Sequence, residues 1–145
     1  MSTIKTTIDI SASAEMVWRV LTNFSAYPKW NPFIREVRGK LQSGARLKVR
    51  VRFSKKRSYR FSPRVIKTIP ASELHWRGKM LFGGLFDGEH SFIIVPDGVR
   101  GVHFIQRERF TGLLVPLILP FIAKKTQTAF ERMNVALKHV AEAKR

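Results

Sequence analysis

The sequence predicts an α+β domain in which a curved antiparallel β-sheet wraps around one long C-terminal α-helix, with two short helices after the first strand. Three observations lead there. From Ile34 to Phe110 the apolar residues follow strand signals, strictly alternating where the pattern is clearest. From about Pro120 to Lys144, Ile122, Thr126, Phe130, Met133, Leu137 and Val140 recur at helical spacing. The strands cannot bury their apolar face alone, and that helical stripe is long enough to cover it. With 145 residues, 44% of them hydrophobic, the chain can build one core, so residues 1–145 are expected to form one domain.

The elements follow in order. Thr3 to Ile10 alternates, with Ile4, Ile8 and Ile10 on one side, and reads as a strand. Ser11 or Ser13 can cap a helix carrying Val17, Trp18, Val20, Leu21 and Phe24. Tyr27-Pro28 stops or redirects the chain, and Trp30-Asn31-Pro32-Phe33 reads as a short aromatic turn. Leu47, Val49, Val51 and Phe53 share one strand face and Arg46, Lys48, Arg50 and Arg52 the other, the mark of a sheet with one wet side. Ser54-Lys55-Lys56-Arg57 connects this strand to a partner through Tyr59, Phe61 and Val65. Leu74, Trp76 and Met80 mark another strand. Gly83-Gly84 turns into a strand from Phe86 to Val95, and Pro96-Asp97-Gly98 turns into one from Val99 to Phe110. Pro116 and Pro120 are expected to keep the segment before the last helix from being regular helix. Lys138, Lys144 and Arg145 suit that helix's C-terminal dipole.

Composition excludes several classes. With no cysteine there is no disulfide scaffold, thiolate zinc site or catalytic thiol. His75, His90, His103 and His139 lack metal-ligand spacing, so neither metal nor cofactor is expected. No glycine loop precedes a helix to cradle phosphate, and no Gly-x-Ser-x-Gly elbow exists. The N-terminus has no apolar core of a signal peptide. Leu113 to Ala123, the most apolar stretch, is too short to span a bilayer. A cytoplasmic protein is expected.

The segments Asp9 to Trp18, Tyr27-Pro28-Lys29-Trp30-Asn31-Pro32-Phe33, Gly88 to Phe92 and Glu108 to Leu114 resemble the START-like, Bet v 1-like (SRPBCC) superfamily. Within it they resemble the bacterial polyketide cyclase/dehydrase and lipid-transport branch. The resemblance spans nearly the whole chain and implies a helix-grip fold with a cavity between the sheet and the C-terminal helix. It implies binding or transport of a small hydrophobic ligand such as a lipid, quinone or polyketide. It does not imply a reaction.

Strand faces select the candidate site. With Pro96-Asp97-Gly98 as a three-residue loop, Val95 pairs with Val99, His90 faces Phe104, Gly88 faces Gln106 and Phe86 faces Glu108. The aromatic side, bearing Phe86, Phe92, Ile94, Val102, Phe104 and Phe110, is then the inner one. His90, Gln106 and Glu108 fall on it as polar groups in an apolar wall. Three readings stand: a network that satisfies itself, one that orients a ligand oxygen, or a His90/Glu108 acid–base pair of a cyclase/dehydrase-type enzyme. Phe92, Phe104, Trp76 and Phe130 are expected to line the cavity. Trp30 either walls its mouth or plugs the short helix against the sheet.

Charge sets a further question. The chain carries 27 Lys and Arg against 10 Asp and Glu, a net charge of +17. From Lys29 to Lys67 there are fourteen basic residues and one acid, Glu36. A solvated outer face, an anionic membrane surface and nucleic acid are the alternatives. Nucleic acid is disfavoured, because Phe53, Tyr59 and Phe61 are assigned inward and no named motif is present. Leu113, Leu114, Val115, Leu117, Ile118, Leu119 and Phe121 form a segment expected either to stay partly exposed as a lid over the cavity, or to close the core or a dimer.

Overall fold

Inward-facing parity organises the molecule, a computed structural model that describes residues 2–81 and 84–144, with Met80 and Leu81 described by their backbone only. Gly83 and Arg145, assigned above to a turn and a helix end, lie outside the described residues. Strand β1 (Thr3–Ile10) is followed by helix α1 (Ala14–Thr22), whose N-terminus Ser13 caps by accepting from the Met16 N–H at 3.1 Å. A 3-10 turn over Phe24–Ala26 leads into the single-turn helix α2 (Tyr27–Trp30). Pro28 thus opens a helix turn instead of ending one, because the first turn of a helix needs no N–H from it.

Seven strands follow: β2 (Ile34–Arg38), β3 (Lys48–Ser54), β4 (Arg57–Phe61), β5 (Arg64–Ile69), β6 (Glu73–Leu81), β7 (Phe86–Pro96) and β8 (Val102–Thr111). They form an antiparallel sheet in the order β1-β8-β7-β6-β5 and a second in the order β2-β3-β4. The run just before β3 stitches the two along β5: Val65 N–H donates to the Ala45 carbonyl, and Leu47 N–H to the Pro63 carbonyl, each at 2.8 Å. Leu47, Val49 and Val51 are buried while Lys48 is exposed, so the alternation of β3 holds as expected. Tyr59 does not follow it. It is 51% exposed, on an edge strand whose residues 57–60 are all exposed.

Helix α3 (Val115–Lys144) packs on β1, β8, β3 and α1, and buries Thr126, Ala129, Phe130, Met133, Asn134, Leu137 and Ala141. It begins five residues before the expected start at Pro120. Pro116 sits in its first turn, where no N–H is required. Pro120 lies on the exposed side, where a carbonyl left without its donor is open to solvent.

The β7–β8 hairpin corrects the expected register. Pro96 pairs with Val102, and Asp97 to Gly101 form the loop, closed by the Asp97 N–H donating to the Gly101 carbonyl at 2.9 Å. Val99, read as the first residue of a strand, is 99% exposed in that loop. His90 therefore faces Glu108 instead of Phe104, four positions further along β8. The shift is even, so every inner-face assignment survives it.

Gly112 joins β8 to α3 at φ +127°, and a Cβ there would lie 2.2 Å from the Leu85 carbonyl oxygen. Gly112→Ala is expected to cost at least about 2 kcal/mol, read as a lowered urea midpoint with an unchanged slope.

Candidate functional site

The corrected register places His90 of β7 directly across from Glu108 of β8, and Phe92 across from Gln106. All three polar residues point to the side that holds Phe86, Phe92, Ile94, Phe104 and Phe110, and all are buried. His90 Nδ1 lies 2.6 Å from Glu108 Oε1, and Nε2 lies 2.9 Å from Gln106 Oε1. The chain of contacts continues beyond the sheet. Gln106 Nε2 donates to Asn134 Oδ1 on α3 at 2.8 Å, and Asn134 Nδ2 donates to Thr6 Oγ1 on β1 at 2.9 Å. The Thr6 hydroxyl returns its proton to the Gln106 backbone carbonyl at 3.2 Å.

This closed chain fixes protons. Because the Gln106 amide nitrogen faces Asn134, its oxygen faces His90, and Nε2 of the ring must donate. One further proton lies between Nδ1 and Oε1. The pair is then either imidazolium with carboxylate or imidazole with carboxylic acid, and its net charge is zero in both. That neutrality makes its burial tolerable. The ring sits in an aromatic box: Phe92 at 4.5 Å, Phe130 edge-on at 5.0 Å and Trp76 stacked at 5.7 Å between centroids.

His90, Phe92, Gln106, Glu108, Trp76 and Phe130 thus converge, and Phe104 stacks on Phe92 at 6.3 Å. Trp30 packs edge-on against Tyr27 at 5.3 Å, and the Tyr27 hydroxyl donates to the Leu21 carbonyl, so its ring contact is within the helical segment. In the space expected to be a cavity, Trp76, His90, Phe92 and Phe130 pack ring against ring. Two concavities, of about 500 and about 420 Å3, open on the surface, lined by residues such as Arg46, Arg64, Arg77 and Lys79 in the first and Pro32, Arg132 and Val135 in the second. Neither is lined by a residue of the polar chain.

Thr6 and Asn134 are members of the chain that the sequence reading passed over. Both were findable: Thr6 shares the parity of Ile4, Ile8 and Ile10, and Asn134 lies four residues beyond Phe130 in the apolar stripe. A second polar cluster also went unread, on the outer sheet face. His75 Nε2 lies 2.7 Å from Glu73 Oε1 and its Nδ1 lies 2.8 Å from Ser91 Oγ, with Lys67 Nζ 3.3 Å from the same Glu73 oxygen. Carboxylate, imidazole and hydroxyl stand in relay order there, but Ser91 is itself buried under the cluster, which ties β5, β6 and β7 together. The His75 hydrogen bond, and after it Lys67, holds the Glu73 carboxyl below its ordinary value of 4.5.

A family model described as polyketide cyclase/dehydrase and lipid transport matches residues 1–142, and the chain belongs to that family. None of the curated proteins matches it in sequence. Its fold is similar to that of a START superfamily protein from Mycobacterium smegmatis, at 22% identity and a TM-score of 0.76 over 99% of both chains. It is similar to the Zhui aromatase/cyclase from Streptomyces sp. R1128, at 14% identity and a TM-score of 0.73 over 97% of this chain and 93% of that one. It also matches the di-domain aromatase/cyclase StfQ of the steffimycin biosynthetic pathway, at 10% identity and a TM-score of 0.79. There, 99% of this chain spans about half, 51%, of the larger protein.

Two expected outcomes test the two clusters. Asn134→Leu leaves Gln106 without its short acceptor and is expected to destabilise the fold by about 2 kcal/mol in urea titration. Glu73 has a depressed folded-state pKa, so its contribution is present above pH 4.5 and is lost as pH falls through the folded value. Glu73→Gln should therefore be less stable than the parent near neutral pH. The gap should close in acid, as followed by urea midpoints across a pH series.

Proposed function

We propose that this family member acts as one binding domain, residues 1–145, which takes a small apolar molecule such as a lipid, quinone or polyketide between the sheet and α3. One observation carries the reading: a polar chain of His90, Glu108, Gln106, Asn134 and Thr6 set into an aromatic wall. A core needs no such chain, since well-packed apolar residues usually serve stability as well. Its use lies in orientation. A ligand oxygen that replaces Gln106 Oε1 meets an Nε2–H already fixed in direction, because Glu108 holds the other ring nitrogen. Phe130 is the side chain that must give way, being the part of α3 in ring contact with both His90 and Phe33.

The 2.6 Å contact between His90 and Glu108 favours a second reading, a cyclase/dehydrase-type enzyme. There the Nε2–H donates a hydrogen bond to a substrate carbonyl and polarises it; when that proton passes to the carbonyl oxygen, the proton shared with Glu108 rests on Nδ1, and the ring is left neutral beside the Glu108 carboxylate.

A neutral apolar fluorophore, N-phenyl-1-naphthylamine, separates interior binding from adsorption to a surface of net charge +17. Saturable enhancement is expected, together with a small apolar molecule carried by the protein in native mass spectrometry after purification from its own host. For that molecule, His90→Ala should weaken binding about fivefold, the worth of one oriented hydrogen bond, with the circular dichroism spectrum unchanged. No saturable enhancement and no co-purified molecule would end the binding proposal. Unfolding of His90→Ala with undiminished affinity at low temperature would make the chain purely structural.

A further inference from the structure

The first turns of α3 are apolar on both sides. Val115 and Leu119 are buried, while Leu113, Leu117 and Phe121 are 82%, 67% and 83% exposed. Leu117 and Phe121, four residues apart, share one side of the helix, beside which Pro116 and Pro120 are exposed as well, and Leu113 lies in the turn just before it. Rotating the helix would bury this stripe only by exposing Val115 and Leu119. The segment is also pinned, since the Leu114 N–H donates to the Leu85 carbonyl at 2.9 Å. One turn past Phe121 the same face becomes cationic, with Lys124 and Lys125 both exposed. No acidic residue occurs between Glu108 and Glu131.

We infer that this face docks peripherally on an anionic lipid bilayer, with Leu113, Leu117 and Phe121 entering the interface and Lys124 and Lys125 at the level of the headgroups. The dimensions suit a surface and not a span. From its start at Val115 to Phe121 the apolar part of the helix covers about 9 Å, against about 30 Å for the hydrocarbon core of a bilayer. No described helix is long and apolar enough to cross a membrane. A second copy of this chain is the poorer occupant, because it would set Lys124 and Lys125 of one copy beside those of another, each copy carrying +17. A stripe one side chain wide also falls short of the roughly 800 Å2 per partner of a stable protein interface. A bilayer needs no shaped partner surface and supplies the opposite charge. Docking at this face does not depend on a ligand binding beside His90.

The test is flotation of the intact protein with vesicles of phosphatidylcholine alone, and of phosphatidylcholine and phosphatidylglycerol in equal parts. Flotation with the anionic vesicles only, lost as salt is raised, is expected. Phe121→Asp and the double variant Lys124→Glu/Lys125→Glu should each reduce it at least about tenfold, with circular dichroism unchanged. The double variant Arg50→Glu/Arg52→Glu, on the outer face of β3, should float as the parent does. Three results would overturn the proposal: equal flotation with neutral vesicles; loss with the β3 variant but not with Phe121→Asp; or a parent that is dimeric in solution, monomeric as Phe121→Asp, and does not float.

Discussion

The pairing of β7 with β8 is the constraint on which the inner face depends. A slip of one residue would turn His90 or Glu108 outward and carry Phe92 or Phe104 with it. In the observed register His90 meets Glu108, the Gln106 amide meets α3, and α3 meets β1 through Asn134 and Thr6. Three strands and the long helix are thereby tied at one depth. Apolar packing alone would let α3 slide along the sheet by fractions of a turn, whereas directional hydrogen bonds admit one position.

Much of this was legible in the sequence because parity survives errors of length. The hairpin loop holds five residues and not three, yet the inner set of Phe86, His90, Phe92, Ile94, Phe104, Gln106 and Glu108 comes out the same, since four is an even shift. What parity cannot supply is the partner of each residue, so the His90–Glu108 contact itself could not be read. Whether the space beneath is open or filled was also out of reach. That depends on how Phe92, Phe130 and Trp76 pack together, and linear spacing carries no information on three side chains from separate elements. The start of α3 was misplaced for another reason. Proline punctuates a helix interior, but it is neutral in the first turn and tolerated on a wet face.

Charge is partitioned as strictly as shape. The inner face holds one neutral acid–base pair, while the outer face of β3 and its neighbours gathers Arg46, Lys48, Arg50 and Arg52, with Arg60 and Arg64 paired across from two of them. The crowding is felt locally: burial, then Arg52 and Arg50, holds the Arg35 guanidinium below its usual value. Such a face repels others of its own sign.

Pro120 gives α3 a mechanical character that a uniform helix would lack. A helix resists bending through its ladder of backbone bonds, and here one rung is absent. The compliance is local. Phe130 and Asn134 lie ten and fourteen residues further on, about three to four turns along an unbroken rod. The residues that hold His90 and Gln106 therefore lie on the part of the helix whose ladder Pro120 does not interrupt. One helix carries its gap near the exposed apolar end and its unbroken ladder behind the polar chain, and the gap is a single missing hydrogen.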